Sequence, residues 1–326
     1  MMTRGFRIIT AALITVFALL SPPAVNAQDY PTRPVTIIVP TGPGGGTDII
    51  ARLIGAQLAQ QLGQAFVIDN RPGAGLLVGT TAAAKAEPDG YTLLLGLNGS
   101  MAVNPSLFSK LPYDPIRDFT PVAMLADYPF VVVVNKELPV RSIADLVELA
   151  KSKPGELNYG SAGNGTGQHL STELFKMMTG TNLAHVPYRS AQAVYSDVIS
   201  GRVPVFFDNI SGALALVQSD KVRAIGVTTQ ARSPVLPDVP TVAETVPGFE
   251  YHTWFGLWAP RKTPRPVVEK LNTEVGRALS SPAVTASIRA AAGEPATMPL
   301  ADIEPFVAAE IAKWADVIKR AGVKVD

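Results

Sequence analysis

Val35-Thr36-Ile37-Ile38-Val39-Pro40-Thr41-Gly42-Pro43-Gly44-Gly45-Gly46-Thr47-Asp48 is the stretch on which the fold turns. Residues 35–39 are β-branched throughout and read as a buried strand. The glycine-rich run then opens a helix from about Thr47 to Gln61, with Ile49, Ile50, Leu53, Ile54 and Leu58 on its apolar face. Phe66-Val67-Ile68 reads as a second strand, Val78 to Lys85 as a second helix and Tyr91 to Leu95 as a third strand. This β-α-β-α-β order predicts α/β architecture with parallel strands and right-handed crossovers.

A second unit of the same kind is expected from Val131. Val131–Val134 and Leu157–Tyr159 read as strands, as do Val203–Phe207 and Ala224–Val227. Ile143–Ala150 and Leu170–Met178 read as helices. The Pro- and Gly-rich segment from Arg232 to Phe249 reads as a long connection back to the first unit, where Trp254–Trp258 rejoins its sheet. Pro266–Leu279 and Ile303–Arg320 are expected as helices packed on that first unit. The implied organisation is residues 1–27 as a leader, 28–127 plus 251–326 as one lobe, and 128–250 as the other.

The second unit carries an analogue of the first glycine-rich helix start: Gly160-Ser161-Ala162-Gly163-Asn164-Gly165-Thr166-Gly167-Gln168-His169. The first four N–H groups of a helix lack intrahelical partners, and the helix dipole adds positive charge there. Glycines let the backbone approach a ligand and point several N–H groups at one spot. A carboxylate or phosphate is the natural occupant, and hydroxyls of Thr41, Thr47, Ser161 and Thr166 add donors. The bland alternative is a tight turn with Thr47 or Thr166 as an ordinary N-cap. Asp48 reads as an acceptor for a ligand amino or hydroxyl group, or as a helix-start residue. Asp208 ends a strand where α/β ligands bind. At least one of Asn98, Ser100 and Asn104 is expected to reach the cleft, and Tyr188 is a candidate pocket wall. His169 reads as a packed or capping residue, and His185 and Arg189 as structural. Trp254 and Trp258 read as sheet or hinge packing, and Arg52 as a surface or interdomain salt bridge.

Arg4 and Arg7 precede an apolar run from Ile8 to Leu20, and Val25-Asn26-Ala27 offers small residues for cleavage after Ala27. That run is short against the ~20 residues of a membrane span and fits the ~7–15 of a signal peptide. The 28 Lys and Arg nearly balance the 27 Asp and Glu, so there is no basic excess for nucleic acid. With no cysteine, disulfides are excluded. The 3 histidines lie far apart without zinc-site spacing, so neither a metal nor a cofactor is expected. Neither glycine loop ends in a P-loop Lys-Ser/Thr or has dinucleotide spacing, and no Gly-x-Ser-x-Gly elbow occurs. A secreted α/β hydrolase or transferase with a triad assembled from distant parts stays open as an alternative, as does a periplasmic sensor subunit.

At these motifs the sequence resembles the solute-binding proteins of tripartite tricarboxylate transporters, the Bug or TctC-like family. The likeness runs through Tyr30-Pro31-Thr32-Arg33-Pro34-Val35, the Pro-Gly-Gly-Gly-Thr-Asp loop with Ala51-Arg52, Asp69-Asn70-Arg71-Pro72-Gly73-Ala74-Gly75 and Pro88-Asp89-Gly90-Tyr91. It continues through Leu111-Pro112-Tyr113-Asp114-Pro115, Asn158-Tyr159-Gly160-Ser161, His185-Val186-Pro187-Tyr188-Arg189 and Phe207-Asp208-Asn209. It ends with Leu236-Pro237-Asp238-Val239-Pro240-Thr241 and Trp254-Phe255-Gly256-Leu257. The resemblance implies a two-lobed, type II-like periplasmic binding protein that closes like a flytrap. It implies a monomer that captures a small organic carboxylate without chemistry and delivers it to a membrane permease of two unlike subunits. It implies a carboxylate gripped, partly through water, by Pro43, Gly44, Gly45, Gly46, Thr47 and Asp48 on one side and Ser161, Asn164, Gly165 and Thr166 on the other. Two departures stand out: Leu76 where the family often has glycine, and Ser190-Ala191-Gln192-Ala193-Val194 after the Pro187-Tyr188-Arg189 motif, a segment expected to be a loop near the cleft.

Overall fold

The structure, a computed structural model, describes residues 30–325 apart from Gly45. The expected leader, with its cut after Ala27, and Gly45 lie outside the described residues. Strand β1 (Val35–Val39) is buried along nearly its whole length, as a strand covered on both faces must be. Helix α1 (Gly46–Leu62) follows it, then β2 (Phe66–Asn70), α2 (Leu77–Ala84) and β3 (Thr92–Leu97). The strands pair in parallel in the order β2-β1-β3, as the β-α-β-α-β pattern requires. Helix α1 buries Ile50, Ala51, Ile54 and Leu58, while Ile49 is 52% exposed. The buried stripe is centred on the 50/54/58 row, which leaves Ile49 on its flank.

After a π-helical turn at Gly99–Val103 and the short helix α3 (Asn104–Leu107), the chain enters β4 (Phe119–Val134). The sequence reading expects a strand only at Val131–Val134, because Pro121, Asp127 and Pro129 interrupt the β-branched pattern. Register shifts at Pro121/Ala123 and Met124/Ala126 absorb the irregular pairing, so the strand continues. Next come α4 (Ile143–Ser152), β5 (Asn158–Ser161), α5 (Gly167–Thr179), β6 (Ala184–Pro187), α6 (Ala191–Ser200), β7 (Val205–Asn209), α7 (Ile210–Gln218) and β8 (Arg223–Val227). Strands β6, β5 and β7 are parallel, but β7 and β8 both run antiparallel to β4, so this unit does not copy the first. Residues 190–194, read as a loop, instead start α6: the Ser190 hydroxyl accepts from Ala193 N–H as a helix cap.

The Pro-rich connection returns the chain to β9 (His252–Pro260), which lies antiparallel between β3 and β4. Strand β4 therefore changes partners partway along. Phe119–Pro129 pairs with β9, and Phe130–Val134 pairs with β7 and β8. Thr228 binds at this change: its hydroxyl accepts from Phe130 N–H (2.9 Å) and donates to the Tyr251 carbonyl (2.6 Å). Helices α8 (Arg265–Leu279), α9 (Pro282–Ala290) and α10 (Leu300–Ala321) follow, with β10 (Glu294–Pro295) pairing β4. Helix α10 packs on the Gly99–Val103 turn, α3 and β4, as expected, and in addition on α5 of the second strand group. One buried core runs from Ile38 and Leu94 through Phe130 and Tyr251 to Tyr159 and Phe175. No described helix is long and apolar enough to cross a membrane.

Candidate functional site

The end of β3 builds one wall. Ser100 is fully buried and its hydroxyl bridges the N–H and carbonyl of Leu97, which closes the turn after the strand. The turn before α2 is unusual. Gly73, Ala74, Gly75 and Leu76 all have positive φ, of 133°, 47°, 64° and 76°. The Asn104 amide donates to the Gly75 carbonyl at 2.9 Å and so ties this turn to α3.

The opposite wall is the start of α5. Ser161 is buried; its hydroxyl lies 2.6 Å from His185 Nε2 and accepts from Gly163 N–H. The Thr166 hydroxyl donates to Gly163 O (2.7 Å), and Gly165 N–H donates to His169 Nδ1 (3.0 Å). Gly165 has φ +75°, and a Cβ there would fall 2.5 Å from Leu107 Cδ2. A Cβ on Gly167 would overlap the Tyr251 hydroxyl and crowd Phe130. Glycine is required at both positions because the helix start presses directly on its neighbours.

Between the walls lies a cavity of about 700 Å³. Leu76, Leu97, Leu107, Phe108, Phe130, Leu170 and Tyr251 supply its apolar lining. Asn98, Asn104, Asn164, Thr166, Gln168, Asn209 and Thr253 supply uncharged polar groups. The Asn98 amide donates to Tyr251 Oη at 3.3 Å, across the cavity floor. Such a volume suits a small organic molecule.

Of the residues singled out in the sequence, Asn98, Asn104, Asn164, Gly165 and Thr166 meet in this cavity. Among the described residues of the α1 start, Pro43, Gly44, Gly46, Thr47 and Asp48 are not in its lining. There the Asp48 carboxylate, nearly fully buried, accepts from Gly44 N–H, Arg52 Nε and Asn70 Nδ2, each at 2.9 Å. The Arg52 bond holds its carboxyl down at about 2. Arg52 thus forms a surface salt bridge within its own helix at i,i+4. The Thr41 hydroxyl oxygen in this loop is buried with no partner among the described residues.

Asp208 faces a smaller neighbouring cavity of about 400 Å³. Burial pushes its carboxyl up, and it accepts from Tyr195 Oη (2.7 Å) and Gln168 Nε2 (3.1 Å). Tyr188 is half-buried, donates to Asp197 and is pushed up to about 12 by burial. Behind the second loop, burial and then the neighbouring His185 hold His169 neutral, down at about 3. Among the described residues no group of three His, Cys, Asp or Glu is placed to hold a metal.

Sequence reasoning missed the Ala74–Leu76 turn, Leu97, Leu107, Phe108, Phe130, Tyr251 and Val325 as cavity residues. The clustered glycines at 73 and 75 were a usable signal for the turn. The apolar residues carry none, since their spacing is that of ordinary core positions.

The model of the tripartite tricarboxylate transporter family receptor matches residues 50–323. The chain is 37% identical over 303 residues to protein BugT of Bordetella pertussis, covering 92% of this chain and 93% of that protein. Among solved structures, R. palustris Rpa4515 with adipate superposes at TM-score 0.79 and 43% identity, over 91% of this chain and all of that one. MatC from Rhodopseudomonas palustris, with bound malate, superposes at TM-score 0.74 and 35% identity, over 89% of this chain and all of that one.

Proposed function

The chain belongs to the tripartite tricarboxylate transporter receptor family, and from that premise we propose that it captures a small organic carboxylate reversibly in the periplasm and presents it to a membrane permease. The observation that carries the reading is the uncharged cavity of about 700 Å³ with the start of α5 in its wall. Helix N–H groups, the Asn98 and Asn164 amides and the helix dipole suit a carboxylate. The adipate and malate in two relatives are both carboxylates.

In its finer form the reading divides the chain into lobes of residues 28–127 plus 251–326 and 128–250, closing on the ligand as a flytrap. Support comes from the change of partners along β4 at Pro129/Phe130 and from the Thr228 link beside it. Closure would bring the start of α1 toward the start of α5, and the unpartnered Thr41 hydroxyl supports a ligand-facing role for that loop. Export by a leader cut after Ala27, a permease of two unlike subunits and a monomeric receptor complete the proposal.

The test is a thermal-shift screen of refolded, ligand-free protein. A carboxylate at a hundredfold over its Kd adds about 2.7 kcal/mol to the folded state, which raises the melting temperature. No shift with any mono-, di- or aromatic carboxylate, with a shift for sugars instead, would sink the ligand class.

A further inference from the structure

Leu76 occupies a backbone conformation that suits glycine. Its φ is 76° and its ψ 1°, at the end of four consecutive left-handed residues. A branched side chain there is disfavoured by the clash of Cβ with the following carbonyl. Strain of this kind persists where the surroundings hold it and where the side chain is used. The surroundings hold it here, and the side chain lies in the cavity lining. The turn is pinned by the bond from Asn104 to the Gly75 carbonyl. The side chain enters the cavity wall, and room is made for it by Gly99, where a Cβ would fall 2.9 Å from Leu76 Cδ1.

Leu76 does not act alone. Leu97, Leu107, Phe108, Phe130 and Leu170 extend the same apolar surface around the cavity. The polar groups on the remaining wall are amides and hydroxyls. The two aspartates best suited to an ammonium are already engaged. Asp48 accepts from Gly44, Arg52 and Asn70, and Asp208 from Tyr195 and Gln168. An α-amino group brought into this cavity would lose water without gaining a carboxylate partner, which is costly.

We propose that Leu76 is a specificity-determining residue that presents an apolar wall to the ligand body, so that the protein takes carboxylates with an aliphatic chain or single aromatic ring and rejects amino acids. This rests on the carboxylate reading of the same cavity and names the ligand class within it.

The experiment is calorimetric titration of the refolded full-length mature protein with hexanoate, adipate, benzoate, glutamate and aspartate. It is repeated on Leu76→Gly and Leu76→Ala. One of the first three binds at least about tenfold tighter than either amino acid. Both substitutions weaken that ligand by about tenfold, the usual worth of lost apolar contact in a pocket, and leave glutamate within about twofold. Leu76→Gly keeps its cooperative thermal transition, since glycine adopts this φ freely.

Tightest binding of glutamate or aspartate overturns this proposal and leaves the carboxylate reading standing. Unchanged affinity in both variants overturns it also. Weakening in Leu76→Gly but not in Leu76→Ala overturns it too, since the effect would then come from a loosened backbone. Binding of none of the five overturns this proposal, and the thermal-shift screen against the wider carboxylate panel decides the carboxylate reading separately.

Discussion

The imidazole rings of His169 and His185 stack with centroids 3.9 Å apart and planes within 9° of parallel. One ring comes from α5 and the other from β6, directly behind the Ser161–Thr166 loop. Around them stand Tyr159, stacked on His185, and Glu173, which accepts from Tyr159 Oη and Lys176 Nζ. Burial is the main reason both imidazoles are pushed down, His169 to about 3. In the unfolded chain each would titrate near 6.5. Above that pH both states hold neutral rings and stability is full. As pH falls below it, the unfolded chain takes protons that the folded pair refuses, and stability drops until the folded rings titrate. The slope approaches roughly 1.4 kcal/mol per pH unit for His169, so about 2 kcal/mol is lost between pH 6.5 and 5. Urea midpoints at pH 7 and pH 5 measure it. His169→Gln, which retains an acceptor for Gly165 N–H, should remove His169's share of the difference and leave that of His185.

The two glycine-rich helix starts should respond differently to the same substitution. Gly165 combines φ +75° with Leu107 Cδ2 at 2.5 Å from where a Cβ would sit. Gly44 has φ +83° and nothing within 4 Å. Gly44→Ala therefore meets only the left-handed penalty, about 1–2 kcal/mol. Gly165→Ala adds overpacking of about 1–3 kcal/mol and displaces Leu107 from the cavity wall. Thermal unfolding should rank Gly165→Ala below Gly44→Ala. Ligand affinity should fall for Gly165→Ala, whose added methyl pushes Leu107 out of place in the cavity wall.

At the first helix start the carboxylate is structural in its contacts. Asp48 gathers Gly44 N–H, Arg52 and Asn70. The Arg52 bond depresses its carboxyl to about 2, so the stability it contributes is complete above the unfolded value near 3.9 and is lost as pH falls toward 2. Asp48→Asn should cost about 1.5–3 kcal/mol at pH 7, as for other hydrogen bonds to a charged group. The gap between wild type and variant should narrow as pH falls from 4 toward 2, as the carboxyl that Arg52 holds at about 2 takes up its proton. A gap that stays constant from pH 7 to 2 would exclude the ionic origin.

Periodicity made the first half of the fold readable. The β-branched run 35–39 and the glycine loop after it led to β1 and α1 without further information. It failed at β4, because Pro121 and Pro129 hide a strand that bulges around them. It failed at α6, because Ser190 was read as part of a loop although it is a helix cap. The second loop was legible as a glycine-rich helix start, since its glycines are a local signature. The apolar cavity wall was not. Leu107, Phe130 and Tyr251 come together only through tertiary folding, and an apolar residue beside a cavity has the same sequence pattern as one in the core. Leu76 was noticed as a departure from the family pattern, yet its left-handed backbone emerges only from the folded turn.

Glu310 Oε2 accepts two buried indole N–H groups, from Trp254 at 3.2 Å and Trp314 at 3.1 Å. This joins β9 to α10 immediately behind the cavity. The Trp314 ring meets Tyr251 edge-on at 5.5 Å, and Tyr251 lines the cavity and accepts from Asn98. A ligand that displaces the Asn98–Tyr251 contact should therefore alter tryptophan emission. Trp314→Phe should remove most of that change while leaving affinity within about threefold, because the ring itself is one residue back from the cavity. Glu310→Ala leaves both indole N–H groups buried without an acceptor, at about 1–3 kcal/mol each, whereas Glu310→Gln keeps an amide oxygen for them. Chemical denaturation should accordingly place Glu310→Gln between wild type and Glu310→Ala. Equal stability of the alanine variant and wild type would show that the shared carboxylate does not hold β9 and α10 together.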